Sequence, residues 1–416
     1  MSYKINLFRA VDALSSAVDL VGVDDALHGK RVGIMALRVA EELGWSEDRR
    51  QDLLYAGFLH DCGVSTTEEH GHLVTELEWS NAQGHCERGA AHLRDVPLLA
   101  HLAPFVLYHH TRWAEMVRDG VAESIAEVAN LLFLVDRLDV LRATFGPVDA
   151  FERKEQFLAT LRKYAGLLFK PELVDALEKR SQSEAFWFGL DPQLLELHIR
   201  EQAARAKSMD LGFAELKSLS AMFARIIDAK SPFTAEHSTR VALLGRFIGR
   251  GLGLDEAICD DMEIAGYLHD LGKLRVPDAI LDKPGPLTAH ERLAMKRHAF
   301  DTYEILFRLF GDNTIALWAA FHHETLSGDG YPFQLAAGGL PIEARIIAVA
   351  DIVQALVQNR PYRGSLAPEK VLAIVEDMTA AGRLDSRVVD FLRSHLRECW
   401  SVAGGISGAG SAADVA

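Results

Sequence analysis

The same ordered set of histidines and aspartates occurs twice in this chain, and that repetition constrains the fold more than any bulk property. The later set is His237, His269-Asp270, His298, His322-His323 and Asp351; the earlier is His28, His60-Asp61, His85, His109-His110 and Asp136. The first interval is 32 residues in both copies, and His85 to His109 matches His298 to His322 at 24 residues. The other intervals differ only by loop-sized amounts. Scattered histidines would not reproduce order and spacing twice. The chain reads as a tandem duplication of a metal-centred domain.

With 416 residues and 49% hydrophobic content, the chain is long enough for two cored domains of roughly 200 residues each. Segments such as RVALLGRFIGRGLGL and EARIIAVADIVQALV carry apolar residues at spacings of three and four, with few alternating runs, so the expected fold is all-α. Breaks fall at Gly251 and Gly253, at Pro284-Gly285-Pro286, and at Gly338-Gly339 with Pro341. The expected organisation is two tandem bundles of five to seven helices. The first covers 1–200, a polar helical linker 201–218, and the second 219–400; a Gly/Ser-rich tail over 401–416 is expected to be disordered.

The N-terminus lacks a basic region followed by a long apolar stretch, and no apolar run approaches the ~20 residues that span a bilayer. The longest candidate, 129–135, is broken by Asp136 and Arg137. Cys62, Cys86, Cys259 and Cys399 show no CxxC spacing and read as reduced thiols. The expectation is a soluble, cytoplasmic protein without membrane contact. A formal net charge of −15 argues against non-specific binding to DNA or RNA polymers. It also requires that any phosphorylated substrate be received by a local positive site.

The second set sits in a chemically specific context. In AGYLHDLGKL an apolar helix delivers His269 and Asp270 to a bundle interior, where the two carboxylate oxygens of Asp270 suit bridging of two metals. Neutral imidazoles with carboxylates suit Fe, Mn or Zn rather than Mg or Ca. Two such ions ~4 Å apart activate water and stabilise both the attacking and leaving oxygens of a phosphoester.

The blocks LHDLGKLRVPDAILDKPGPLT, MKRH, FHHETLSGDGYPF and EARIIAVADIVQALVQNRPYR, in that order, resemble the HD-GYP family of HD phosphohydrolases. The resemblance spans 233–363. It implies an all-helical domain with two or three metals, often iron or manganese, that hydrolyses bacterial cyclic dinucleotides. By position it implies His237, His269, Asp270, His298, His322, His323 and Asp351 as metal ligands, with Asp270 and Lys273 catalytic. Lys273 is placed to hold the scissile phosphate. Gly330-Tyr331-Pro332 resembles the substrate loop, and Arg360 and Arg363 the family's basic substrate contacts.

Two positions depart from the family pattern. Phe233 stands where some members have a carboxylate one turn before the first histidine, which favours two metals over three. Ser327 replaces the usual aspartate of the loop, which bears on its rigidity.

The first copy keeps every ligand type, and with them a possible second metal site of His28, His60, Asp61, His85, His109, His110 and Asp136. It lacks the rest: Val64 replaces Lys273, Thr111-Arg112-Trp113 follows the histidine pair, and no RPYR follows Asp136. Asp24, four residues before His28, is a candidate extra ligand, and Arg112 and Arg137 are candidate anion contacts. Three roles remain open for this HD-type domain: a second phosphohydrolase resembling a 5′-nucleotidase, a sensory or dimerising module, or a relic.

The resulting expectation is a metal-dependent phosphodiesterase that opens a cyclic dinucleotide to a linear 5′-phosphorylated product. Family frequency favours cyclic di-GMP, with cyclic GMP-AMP compatible. The rival from another class is a non-hydrolytic receptor. A homodimer is left open.

Overall fold

The computed structural model describes residues 2–21, 27–206, 208–231, 236–310, 314–359 and 364–405. The chain divides into two compact units, one from Lys4 to Asp210 and the other formed by the residues up to Tyr3 together with those from Leu211 onward. Both are helical. None of the described helices is long and apolar enough to cross a membrane.

Six helices that frame the repeated residues recur in the same order. In the first unit they are α1 (Leu7–Val18), α2 (His28–Glu42), α3 (Glu47–Leu59), α4 (Gln83–Arg94), α5 (Ala103–Tyr108) and α6 (Glu123–Arg142). Helices α7 (Pro171–Arg180) and α8 (Pro192–Arg205) follow. In the second unit the counterparts are α9 (Phe213–Asp228), α10 (His237–Gly251), α11 (Glu256–Leu268), α12 (Ala289–Phe310), α13 (Thr314–Ala320) and α14 (Ile342–Val357). They are followed by α15 (Pro368–Ala380), α16 (Ser386–Ser394) and α17 (Leu396–Gly404).

Local chemistry sets these boundaries. Ser46 caps α3 by accepting from the Arg49 amide, with Glu47 and Asp48 complementing the first-turn dipole. Helix α14 is buried along Ile346, Ile347, Val349, Ala350 and Val353, so it carries Asp351 into the interior. The chain passes very close to its neighbour just after each His-Asp pair. A Cβ on Gly272 would lie 2.1 Å from the His298 carbonyl oxygen, and one on Gly63 would lie 2.0 Å from that of His85. Only glycine fits there, and this approach brings His298 beside Asp270 and His85 beside Asp61.

Two segments differ from expectation. The stretch 201–218 is not one helix: α8 ends at Arg205, strand β2 (Ser208–Gly212) pairs with β1 (Ser2–Asn6), and α9 then begins. Gly212 interrupts the helix, and the Glu215 carboxylate accepts from the Gly212 amide at 2.8 Å to restart it. The tail is helical to Gly404, because Cys399 and Ala403 bury one face of α17 and Trp400 donates to the Leu366 carbonyl. Residues 406–416 lie outside the described residues.

Candidate metal centres

In the second unit the His-Asp pair lies just past a helix rather than within it. Helix α11 stops at Leu268, and Asp270 turns into a short 3₁₀ segment. The two side chains reach one interior space, with His269 Nε2 3.3 Å from Asp270 Oδ2. His322 and His323 likewise follow the end of α13.

These termini also fix the imidazoles. The last carbonyls of a helix lack amide partners. His269 Nδ1 donates to the Gly266 carbonyl at 2.8 Å and His322 Nδ1 to that of Ala319 at 2.6 Å, while His298 Nδ1 donates to Met295 at 2.6 Å. A carbonyl only accepts, so each Nδ1 carries the proton and each Nε2 presents a lone pair inward.

Asp270 divides the cluster in two. Its Oδ2 lies 3.3 Å from Nε2 of both His237 and His269, and its Oδ1 lies 3.5 Å from His298 Nε2 and 3.6 Å from His322 Nε2. Asp351 Oδ1 closes the first group, 3.4 Å from His237 Nε2. The donor atoms of His237, His269 and Asp351 lie within 4.8 Å of one another, as do those of His298, His322 and His323. Each group has the donors to hold a metal ion, with Asp270 between them. Asp270 Oδ1 is buried and has no hydrogen-bond partner, which suits a metal-facing oxygen.

The electrostatics agree with cation binding. Burial would raise Asp270, but His269, Lys273 and the imidazole contacts outweigh it and hold the carboxyl well below its usual range. Burial also works against protonated His237, yet Asp270 and Asp351 raise it to about 10. Burial holds His298 down at about 4, and burial with the charge of His298 holds His323 at about 3. Those two imidazoles stay neutral, the form in which an imidazole can accept a metal ion.

Lys273 contacts Asp270 Oδ2 through Nζ. Tyr331 stacks on His323, ring centroids 4.7 Å apart, and its phenol is pushed up by burial and by Asp351 and Asp270. Gly330 has no room for a side chain, since a Cβ would lie 2.5 Å from Glu324 Cα. Pro332 follows through a cis peptide bond.

The sequence reading missed what holds this loop. The buried Glu324 carboxylate accepts from the amides of Phe333 at 2.6 Å, Gln334 at 3.1 Å and Leu335 at 2.9 Å. The missing loop aspartate at Ser327 is compensated locally. Asp329 Oδ1 accepts from Ser327 Oγ at 2.7 Å and from Thr325 Oγ1. Arg360, Arg363 and Phe233 lie outside the described residues.

The first unit repeats the geometry. Asp61 Oδ2 lies 3.3 Å from His60 Nε2 and 3.8 Å from His28 Nε2; its Oδ1 lies 3.3 Å from His85 Nε2 and 3.8 Å from His109 Nε2. His28, His60 and Asp136 form one cradle, and Asp61, His85, His109 and His110 the other. Asp61 Oδ1, Asp136 Oδ1 and His60 Nε2 are buried without hydrogen-bond partners. Asp24 lies outside the described residues.

Arg137 is not an available anion contact. It is buried, and it donates to Asp136 Oδ2 at 2.7 Å and to the Glu76 carbonyl at 2.5 Å. Arg112 is turned to the surface, paired with Glu78.

Behind the first cradle of each unit lies a further difference missed in the sequence. His28 Nδ1 donates to Asp139 at 2.8 Å, and Asp139 also receives Arg31 and Arg142. His237 Nδ1 donates instead to the neutral amide oxygen of Gln354. Both partners sit three residues after the aspartate ligand candidate, so aligning the two copies would have exposed them. The same alignment pairs Asp19 with Asp228, each nine residues before the first histidine. Each accepts from the backbone amide just after that histidine, Gly29 or Ser238, and holds the start of its helix.

HD-domain family models match residues 26–142 and 221–388. The 3′3′-cGAMP-specific phosphodiesterase 1 of Vibrio cholerae is 36% identical over 402 residues, 94% of this chain and 92% of that relative. This chain belongs to the HD-GYP family of metal-dependent phosphohydrolases. A cyclic di-GMP phosphodiesterase response regulator of Xanthomonas campestris is 37% identical over 52% of this chain and 55% of its own length. The crystal structure of a cyclic GMP-AMP-specific phosphodiesterase of V. cholerae superposes with a TM-score of 0.64 at 26% identity, covering 95% of this chain and 98% of that one. The paired cradles thus belong to two HD domains, of which only the second carries the GYP loop.

Proposed function

We propose that the second HD domain hydrolyses 3′3′-cyclic GMP-AMP in the cytoplasm, rather than the cyclic di-GMP favoured by family frequency. The observation that carries this choice is the reach of the resemblance: the relative aligned across both domains is cGAMP-specific, whereas the cyclic di-GMP response regulator aligns over about half of each chain. His237, His269, Asp351, His298, His322 and His323, bridged by Asp270, would hold two divalent ions, with Fe or Mn favoured. Such ions supply an activated water and stabilise charge on the attacking and leaving oxygens.

The chain's own groups supply the rest. Lys273, fixed on Asp270, counters the negative charge that builds on the scissile phosphate. Tyr331, held against His323 between Gly330 and Pro332, offers a flat face to a base. By the family resemblance, Arg360 and Arg363, which lie outside the described residues, would bind the remaining phosphate. Water oxygen joins phosphorus, the 3′ oxygen leaves with a proton, and the product is a linear dinucleotide with a 5′ phosphate.

For the first domain we favour a metal-holding centre of different specificity. The bridged cradles support binding, and Val64 in place of Lys273 with no GYP loop argues against the same reaction. Two roles fit: removal of the terminal phosphate from the linear product, or regulation.

The test is product analysis by HPLC. Mn²⁺- or Fe²⁺-loaded protein is given cyclic GMP-AMP and cyclic di-GMP, with Asp61→Ala in parallel. Faster turnover of cyclic GMP-AMP is expected; equal or faster turnover of cyclic di-GMP would overturn the preference. Dephosphorylated product that disappears with Asp61→Ala assigns the first centre to catalysis, and identical products assign it to regulation. No product with either ion would favour a receptor.

A further inference from the structure

Helix α12 turns His298 and Asp301 inward, yet its opposite face carries large apolar side chains in water. Leu293 is 69% exposed, Phe300 43% and Phe307 44%, spaced seven residues apart along one stripe. Phe333 extends the patch, its ring 6.2 Å from that of Phe300 and 5.3 Å from that of Tyr303. An apolar stripe of this kind on a helix is the signature of a helical partner.

The flanking residues say which partner. On one helix face the neighbours of Phe300 are those three, four and seven positions away. A two-fold axis through Phe300 would pair each such position with its mirror on an antiparallel copy. Leu293 would then meet the partner's Phe307, apolar against apolar. Lys296 would meet the partner's Glu304, opposite in charge. Arg297 would lie over the partner's Tyr303, a cation on an aromatic face. These pairs are complementary and each occurs twice by symmetry, although within its own chain Arg297 also pairs with Asp301 at 3.3 Å and Lys296 Nζ lies 5.0 Å from the Tyr331 ring centroid. The like-charged pair, Arg292 with the partner's Arg308, falls beyond Leu293 at the rim, where solvent screens it.

We propose that this face of α12 is a homodimer interface, with two copies packed antiparallel about Phe300. The surface is self-complementary in apolar pattern and in charge, which a binding site for an unrelated protein would not require. The interface lies beside the segment that follows Pro332, through Phe333, and so would border the GYP loop of each copy.

Sedimentation of the full chain over a concentration series tests this. The wild type is expected to dimerise. Phe300→Asp should give monomer with unchanged far-ultraviolet circular dichroism. Lys296→Glu and Glu304→Lys should each weaken the dimer by about tenfold, since each replaces two attractive pairs with two repulsive ones. The double variant, with both charges exchanged, should recover wild-type affinity. Should Phe300→Asp fail to fold, the charge exchange decides alone. A wild type that is monomeric throughout, a Phe300→Asp dimer of wild-type affinity, or a double variant no tighter than the single ones would overturn the proposal.

Discussion

Replacing Glu324 by Gln should separate binding of a dinucleotide from the metal chemistry. In the wild type one carboxylate oxygen accepts from Phe333 and Gln334 and the other from Leu335. Glutamine keeps one accepting oxygen and turns an NH₂ toward the third amide, so one bond is lost to a donor–donor conflict and two lose their charge assistance. Summing a lost charge-assisted bond with two weakened ones gives about 3 kcal/mol. The loop can escape this cost by releasing 333–335, and substrate must then re-order it. The expected result is a fall of about a hundredfold in kcat/KM for the cyclic dinucleotide, mostly through KM. Glu324 is absent from both metal cradles. Metal content should therefore be unchanged, as should turnover of a small chromogenic phosphodiester that needs no loop. The assay is steady-state kinetics on both substrates with metal analysis of the same preparation. Wild-type kcat/KM on the dinucleotide, or an equal loss on both substrates, would refute the account of how the loop is held.

Gly330→Ala should be worse tolerated than its size suggests, because the new methyl would meet Glu324 Cα, Thr325 N and the His323 oxygen, all backbone. A loss of about 1–3 kcal/mol by denaturant titration is expected; unchanged stability would mean the turn shifts freely. Asp139→Asn should lower metal affinity of the first centre by about 10–100-fold, read by titration calorimetry, while phosphodiesterase activity of the second is retained. Chelator-treated protein should lose stability as pH falls from about 6.5 toward 4. Burial holds His109 and His298 near 4, so in this window the unfolded chain takes up protons that the folded chain refuses. His237, raised to about 10, stays protonated in the folded chain, so it opposes this loss only near pH 6.5, where the unfolded imidazole is still half protonated. A melting temperature flat between these pH values would contradict the assigned shifts.

Much of the site was legible because a metal cradle needs particular side chains at fixed helical intervals, and duplication wrote those intervals twice. The position of Asp270 between the two groups of imidazoles agrees with what its two carboxylate oxygens suggested. The supporting contacts were harder to see. Glu324 acts through amides that any residue could supply, so Phe333, Gln334 and Leu335 carry no signature of being held. Gln354 and Asp139 differ in type, which hides their common place behind the first histidine. Arg137 misled because an arginine beside a ligand aspartate resembles an anion contact until its burial under the Glu76 carbonyl is known. Strand β2 escaped because a short strand after a helix leaves little periodicity to read.

The three buried guanidinium groups of the first centre bear on how this chain behaves when ions are scarce. There Arg137 contacts Asp136, and Arg31 and Arg142 contact Asp139, whereas among the described residues of the second centre Lys273 contacts Asp270 and the place of Asp139 is taken by the neutral Gln354. Three guanidinium groups thus stand against the carboxylates of the first centre and one ammonium against those of the second. Divalent ions in short supply would fill the GYP-bearing domain first and reach the other only in surplus. Under starvation the chain would lose whatever its first half does while its hydrolytic half still turned over.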